Sequence, residues 1–227
     1  MSIGTLNEGP LHQALKSLYS RGDATEEVPV GSYVADVRGA DQVLYEIQTG
    51  GFASLKKKLG TLVEHHRVVL VHPIAQVRYI VKLGVGEDTE ATRRRSPKRG
   101  SMADVVSELV SIPRLLNHPN FELEVVMIEE DELRVFAPEK VRGRKGWRVI
   151  QRRLVEVLER HRFCSASDLF SLVPGELPET FTTRDLAEAM RQPRWMAQKL
   201  AYCLREAGEI TLCGKEGNAM CYVREAP

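Results

Sequence analysis

No stretch of this 227-residue chain approaches the ~20 consecutive apolar residues that a membrane span needs. The first ten residues, Met1 to Pro10, hold neither a basic segment nor an apolar run, so a signal peptide is not expected. Cysteine is scarce: Cys164, Cys203, Cys213 and Cys221 are scattered among apolar neighbours, which suits reduced core thiols rather than a disulfide framework. None of His12, His65, His66 and His72 stands at metal-ligand spacing from a cysteine. The expected compartment is the cytoplasm, with no membrane partner. Nor does charge of one sign dominate, since 32 Lys and Arg face 31 Asp and Glu. That balance hides an uneven distribution. Arg93–Arg99 and the run from Arg142 to Arg162 are strongly basic, while Glu122–Glu132 is acidic.

What is present is globular. Apolar content of 43% and charged content of 28% suit a chain able to bury a substantial core. Pro10 opens a helix whose apolar residues are Leu11, Leu15, Leu18 and Tyr19, and Gly22 ends it. Strands are predicted over 27–30, 32–37 and 42–49, with Arg38–Asp41 as the turn between the last two. A basic amphipathic helix follows from Phe52 to His66, then strands over 68–71 and 76–83. The helix between the strands at 42–49 and 68–71 suggests a right-handed parallel crossover. After a charged loop the pattern predicts a helix from Met102 to Leu116. A hairpin then turns at Glu129–Glu132, and a linker occupies 137–146.

Strand parity brings the candidate site together. Ser32, Val34 and Asp36 share one face, and so do Leu44, Glu46 and Gln48. An antiparallel turn at 38–41 stands Asp36 beside Glu46, where two carboxylates on an apolar face repel unless a cation neutralises them. Oxygen ligands suit Mg²⁺ or Mn²⁺ rather than zinc. Asp36, nine intervening residues and then Glu46-Ile47-Gln48 resembles the D-x(n)-(D/E)-x-K signature of PD-(D/E)XK nucleases. The element order over residues 6–83 is similar to that family's core. The resemblance implies a metal held by Asp36 and Glu46, with Glu8, near the first helix, as a further acidic ligand. It also implies phosphodiester hydrolysis by a metal-activated water. The third position departs from the pattern. Gln48 replaces Lys and can orient water only through hydrogen bonds, so Lys56 on the next helix is the candidate to supply the cation.

Further basic elements suit nucleic acid. Arg93, Arg94, Arg95, Lys98 and Arg99 form a cluster of phosphate-contacting composition within a loop at 87–100. Residues 147–227 read as helices over 147–162 and 165–172, a helix–turn–helix over 184–207 and a hairpin at 210–223, which resembles a winged helix. In that reading Arg191, Arg194, Gln198, Lys199 and, at the wing tip, Lys215 face DNA, while Trp195 packs inward. The expected fold class is α/β, a restriction-endonuclease-like mixed sheet flanked by helices over 1–136, followed by a mainly α winged-helix domain. The expected function is a metal-dependent DNA nuclease. The alternative is a catalytically inactive nuclease-like DNA-binding or regulatory protein, and protein partners or a homodimer stay open.

Overall fold

The structure is a computed structural model that describes residues 9–84, 90–140 and 144–225. It is an α/β fold built on a seven-stranded mixed sheet. The elements are α1 (Pro10–Tyr19), β1 (Thr25–Val30), β2 (Tyr33–Arg38), β3 (Leu44–Ile47), α2 (Lys56–Leu62), β4 (Val68–Lys82) and β5 (Thr92–Arg95). There follow α3 (Val106–Leu109), β6 (Phe121–Phe136), β7 (Trp147–Phe163), β8 (Thr180–Thr182), α4 (Thr183–Met190), α5 (Arg194–Glu206), β9 (Ile210–Glu216) and β10 (Ala219–Arg224). The large sheet runs β1-β2-β3-β4-β6-β7, and β5 pairs with β4 off that path.

The chain divides into two units, each discontinuous in sequence. One comprises Met1–Thr49, Val71–Ser101 and Val125–His161, and the other Gly50–Leu70, Met102–Glu124 and Arg162–Pro227. In the first, Leu11 and Leu15 of α1, Ala35 and Val37 of β2, Leu44 and Ile47 of β3, and Val71 are buried. In the second, Phe52, Leu59, Leu109, Phe121, Phe163, Leu169, Phe181, Leu186, Leu200 and Leu204 form the apolar interior.

Four expectations are corrected. The strands expected over 68–71 and 76–83 are one strand, β4, because His72 is held in line by its Nδ1 contact with the Gln48 carbonyl at 2.7 Å. Pro73 lacks an N–H, but its fixed φ is compatible with extended backbone. The hairpin expected to turn at Glu129–Glu132 is likewise one strand, β6. Glu130 and Glu132 are buried in it because Arg78 reaches them at 2.6 and 3.7 Å and Arg134 reaches Glu132 at 2.5 Å.

The helix expected over 147–162 is strand β7. Its β-branched residues Val149, Ile150, Val155 and Val157 fit a pleated surface as well as a helix stripe. The expected linker at 137–146 connects β6 to its sheet neighbour β7, and Ala137 and Gly146 meet at the start of β7. There the Ala137 N–H donates to the Gly146 carbonyl at 2.9 Å, and the Phe136 and Trp147 rings lie 5.6 Å apart. Gly146 has φ +78°, and a Cβ there would come within 2.9 Å of the Phe136 ring. Lastly, the helix expected over 102–116 is broken into the single α-turn of α3 between two short 3₁₀ turns.

In the second unit, β8, β10 and β9 form a three-stranded sheet in that order. α4 is started by Thr182, whose hydroxyl accepts from the Arg184 and Asp185 N–H groups while Asp185 accepts from the Thr182 N–H at 2.7 Å. Pro193 precedes α5, and Gly208, at φ +79°, follows it. All four cysteines are free, but only Cys203 and Cys221 are buried, and Cys164 and Cys213 are exposed. Burial pushes the Cys203 thiol up to about 12, which keeps it protonated and inert.

The capping box yields a pH-dependent prediction. The Thr182 backbone N–H, then its hydroxyl, hold the Asp185 carboxyl below the usual carboxylate range. A carboxylate depressed in the folded state stabilises above its unfolded pKa, and that contribution is lost as pH falls through the folded one. Thr182→Ala is expected to cost about 1 kcal/mol in urea unfolding at neutral pH. Asp185→Asn should also destabilise there, with the difference from wild type shrinking below about pH 4.

Candidate functional site

The site is built on the β2–β3 hairpin. Its turn is tight: the Gly39 N–H donates to the Val43 carbonyl at 2.9 Å, and the Asp41 carboxylate accepts from the Val43 N–H at 3.2 Å. A Cβ at Gly39 would lie 2.6 Å from Asp41 Oδ1, so glycine is required for the close approach. The antiparallel register pairs Arg38 with Leu44 and Val37 with Tyr45. One step further along that register, Asp36 comes opposite Glu46, and opposite residues of an antiparallel pair share a face. The two acids therefore stand on one side of the sheet, as strand parity predicts.

Their surroundings differ. Glu46 is buried at 2% exposure, beside the fully buried Leu44. Asp36 is half-buried, and Val34, its neighbour on the same face of β2, is 46% exposed. The expected continuous apolar face is thus corrected: it opens to solvent at Val34, and Asp36 sits at the transition. Asp36 Oδ2 accepts a hydrogen bond from the Ile47 N–H at 2.7 Å, so a side-chain carboxylate serves the β3 backbone just beyond the recorded pairing.

Gln48 follows on the same chain, its N–H donating to the Val71 carbonyl at 2.8 Å while its own carbonyl meets His72 Nδ1. From α1, His12 Nε2 lies 3.4 Å from Asp36 Oδ2. Lys16, one turn on, is buried and pairs with Glu27 and, at 3.8 Å, Glu26. Tyr19 completes that helix face, its ring 4.9 Å from Tyr45. Sequence reasoning missed His12 and Lys16 as neighbours of the hairpin. The available signal was their i, i+4 spacing beside Leu11 and Leu15.

The other candidates fall as follows. Glu8 lies outside the described residues. Lys56, the first residue of α2, is exposed and belongs to the other unit. Of the basic loop at 87–100, residues Thr92–Arg95 form strand β5 on the distal half of β4, and Lys98 and Arg99 are exposed beyond it. Arg93 is engaged within its own unit, bonded to Asp131 at 2.9 Å, 3.6 Å from Glu129, and stacked 3.5 Å from the Tyr79 ring centre. Arg191, Arg194, Gln198 and Lys215 are exposed on the second unit, and Lys199 sits 5.1 Å over the Trp195 ring. Trp195 does not pack inward as expected. It is 50% exposed, and Tyr202, two turns along α5, is exposed with it.

The hairpin carries two carboxylates on one face, and oxygen donors are the class of ligand that hard cations such as Mg²⁺ or Mn²⁺ take. Among the described residues no group of three or more His, Cys, Asp or Glu is arranged to hold a metal ion. Also among the described residues, no helix is long and apolar enough to cross a membrane.

The chain belongs to a family described as a domain of unknown function, DUF8091, which matches residues 9–164 and so runs from α1 to just past the end of β7. The chain is also similar to an uncharacterized protein of Treponema pallidum (strain Nichols). The two are 32% identical over 228 residues, which cover 100% of this chain and 89% of the relative. No solved structure matches.

The Asp36–Ile47 hydrogen bond can be separated from the Asp36 charge. Asp36→Ala leaves the buried Ile47 N–H without its acceptor and is expected to cost about 1–3 kcal/mol in chemical denaturation. Asp36→Asn keeps an acceptor oxygen and should lose under half as much. Equal losses would show that charge, not the hydrogen bond, governs stability at this position.

Proposed function

We propose that this protein is a metal-dependent nuclease acting on DNA, with a PD-(D/E)XK-like core and a winged-helix segment for binding. The observation that carries the reading is the placement of Asp36 and Glu46 on one face of the hairpin, beside the solvent opening at Val34. Asp36 and Glu46 would hold the cation, which when bound supplies a water acidic enough to attack a phosphodiester. The protein's own contribution is to fix Asp36 through the Ile47 N–H and His12, and to screen Glu46 from bulk water. The Gln48 side chain would orient the attacking water.

For the second unit, the order α4, tight turn, α5, then the β9–β10 hairpin with β8 closing on β10 supports a winged-helix reading. The exposed face of α5 carries Arg194, Trp195, Gln198, Tyr202 and Arg205. Cations lie over both aromatic rings, Lys199 at 5.1 Å from Trp195 and Arg205 at 5.9 Å from Tyr202. Exposed aromatics among cations suit the bases and phosphates of nucleic acid.

A second reading, a DNA-binding or regulatory protein with an inactive nuclease-like core, is favoured by Gln48 in place of Lys and by the depth of Glu46. The two readings separate on incubation with single-stranded, duplex and branched DNA, and with RNA, in Mg²⁺ or Mn²⁺. The nuclease reading expects cleavage abolished by chelation and reduced about 100-fold or more in Asp36→Asn and Glu46→Gln. Salt-sensitive DNA binding without cleavage would install the regulatory reading, and neither activity would sink both. Trp195→Ala is expected to weaken DNA binding about tenfold, read by fluorescence anisotropy.

A further inference from the structure

β7 ends the large sheet, so among the described residues its 17-residue length has a strand neighbour on one side only. A strand edge of that length is a template for pairing unless something covers it. Its even-numbered positions form the more exposed face and alternate charge with apolar bulk: Arg148, Ile150, Arg152, Leu154, Glu156, Leu158, Arg160. Ile150 is 46% exposed, Leu158 39%, and Val155, on the other face, 47%.

We propose that β7 pairs edge to edge, antiparallel, with β7 of a second copy of this chain, about a two-fold axis through Leu154. Symmetry limits the choices. A two-fold axis normal to the sheet keeps each residue on its own face, and opposite residues must share a face. The axis therefore passes through a residue, never between two.

Centred on Arg153, the register sets like charges face to face, and centred on Glu156 it does the same with acids. Centred on Val155, it puts Arg152 against Leu158 and Leu154 against Glu156. Centred on Leu154, it sets Leu154 against itself, Arg152 against Glu156 and Ile150 against Leu158, each of the last two twice. A centre at Leu158 also pairs opposite charges, Glu156 with Arg160. However, it sets Leu154 against Arg162, whose guanidinium is already bonded to Glu124 at 2.5 Å. The Leu154 register leaves like charges only at its two ends, where Arg148 meets Arg160 twice. There Arg160 is drawn aside, 5.3 Å over the Tyr19 ring.

The test is sedimentation of the full-length chain over a range of concentrations, with charge reversal and swap. Glu156 is the first site to change, because Arg152 also lies 3.9 Å from Glu132 within its own chain. Wild type is expected to dimerise. Glu156→Arg should raise the dimer Kd about tenfold or more. The double variant Glu156→Arg/Arg152→Glu should recover most of that loss, which a merely misfolded single variant would not. A wild type that stays monomeric at the highest soluble concentration would overturn the proposal. So would a Glu156→Arg variant that dimerises as wild type does, or a double variant with no recovery. None of these outcomes depends on cleavage or on DNA binding.

Discussion

The hydrogen bond from the Ile47 N–H to Asp36 Oδ2 is the interaction on which the proposed site depends. A buried backbone N–H at the end of a strand pairing needs an acceptor, and here a carboxylate supplies it. That single contact does two things. It continues the β2–β3 association one step beyond the Val37–Tyr45 pair, and it fixes a carboxylate on the face of the hairpin that carries Glu46. A rigid, partly desolvated acid pair is what a hard cation requires. The same contact means that Asp36 is structural as well as chemical, so its removal damages the strand whatever the protein does.

Charge pairing governs the rest of the first unit in a similar way. The acidic β6 would be untenable in a sheet interior without cations, and the sheet brings them from elsewhere in the sequence. Arg78 on β4, Arg134 on β6 itself and Arg93 on β5 reach Glu130, Glu132 and Asp131. Part of the near-balance of charge in the chain is thus met by pairing inside the sheet. Arg93 illustrates the consequence. Clustered with Arg94 and Arg95 it has the composition of a phosphate-binding loop, yet its guanidinium is bound to Asp131 and stacked on Tyr79. Any phosphate it met would compete with those partners.

The legible parts of the sequence were those with local, short-period signals. Pro10, Gly22 and the 38–41 turn mark element ends through backbone chemistry that needs no distant partner. The Asp36–Glu46 face followed from period-two parity and a turn. What was not legible depended on residues far away. β6 reads as a hairpin because four acids in a row resemble a turn, whereas Arg78, Arg93, Arg134 and Arg152 pair with them in the sheet. β7 reads as a helix because its apolar positions fit both periods. Its neighbour in the sheet and the Phe136–Trp147 contact decide between them. Trp195 reads as core because tryptophan usually is, and its half-exposure follows from the other face of α5 filling the interior with Met196, Leu200 and Leu204.

The two halves of the proposed function rest on different stretches of chain. The family match extends over 9–164 and contains the hairpin, the arginines of β5 and all of β7. It stops before α4, α5 and the terminal hairpin, which the Treponema relative nevertheless matches, since its similarity covers this whole chain. A site confined to the shared stretch can be asked of every family member, whereas the aromatic–cation face of α5 can be asked only of chains that continue past it. If cutting resides in the hairpin, it lies within the stretch that the family model matches. If Gln48 and the buried Glu46 have ended catalysis, the role of this chain lies with the aromatic–cation face of α5.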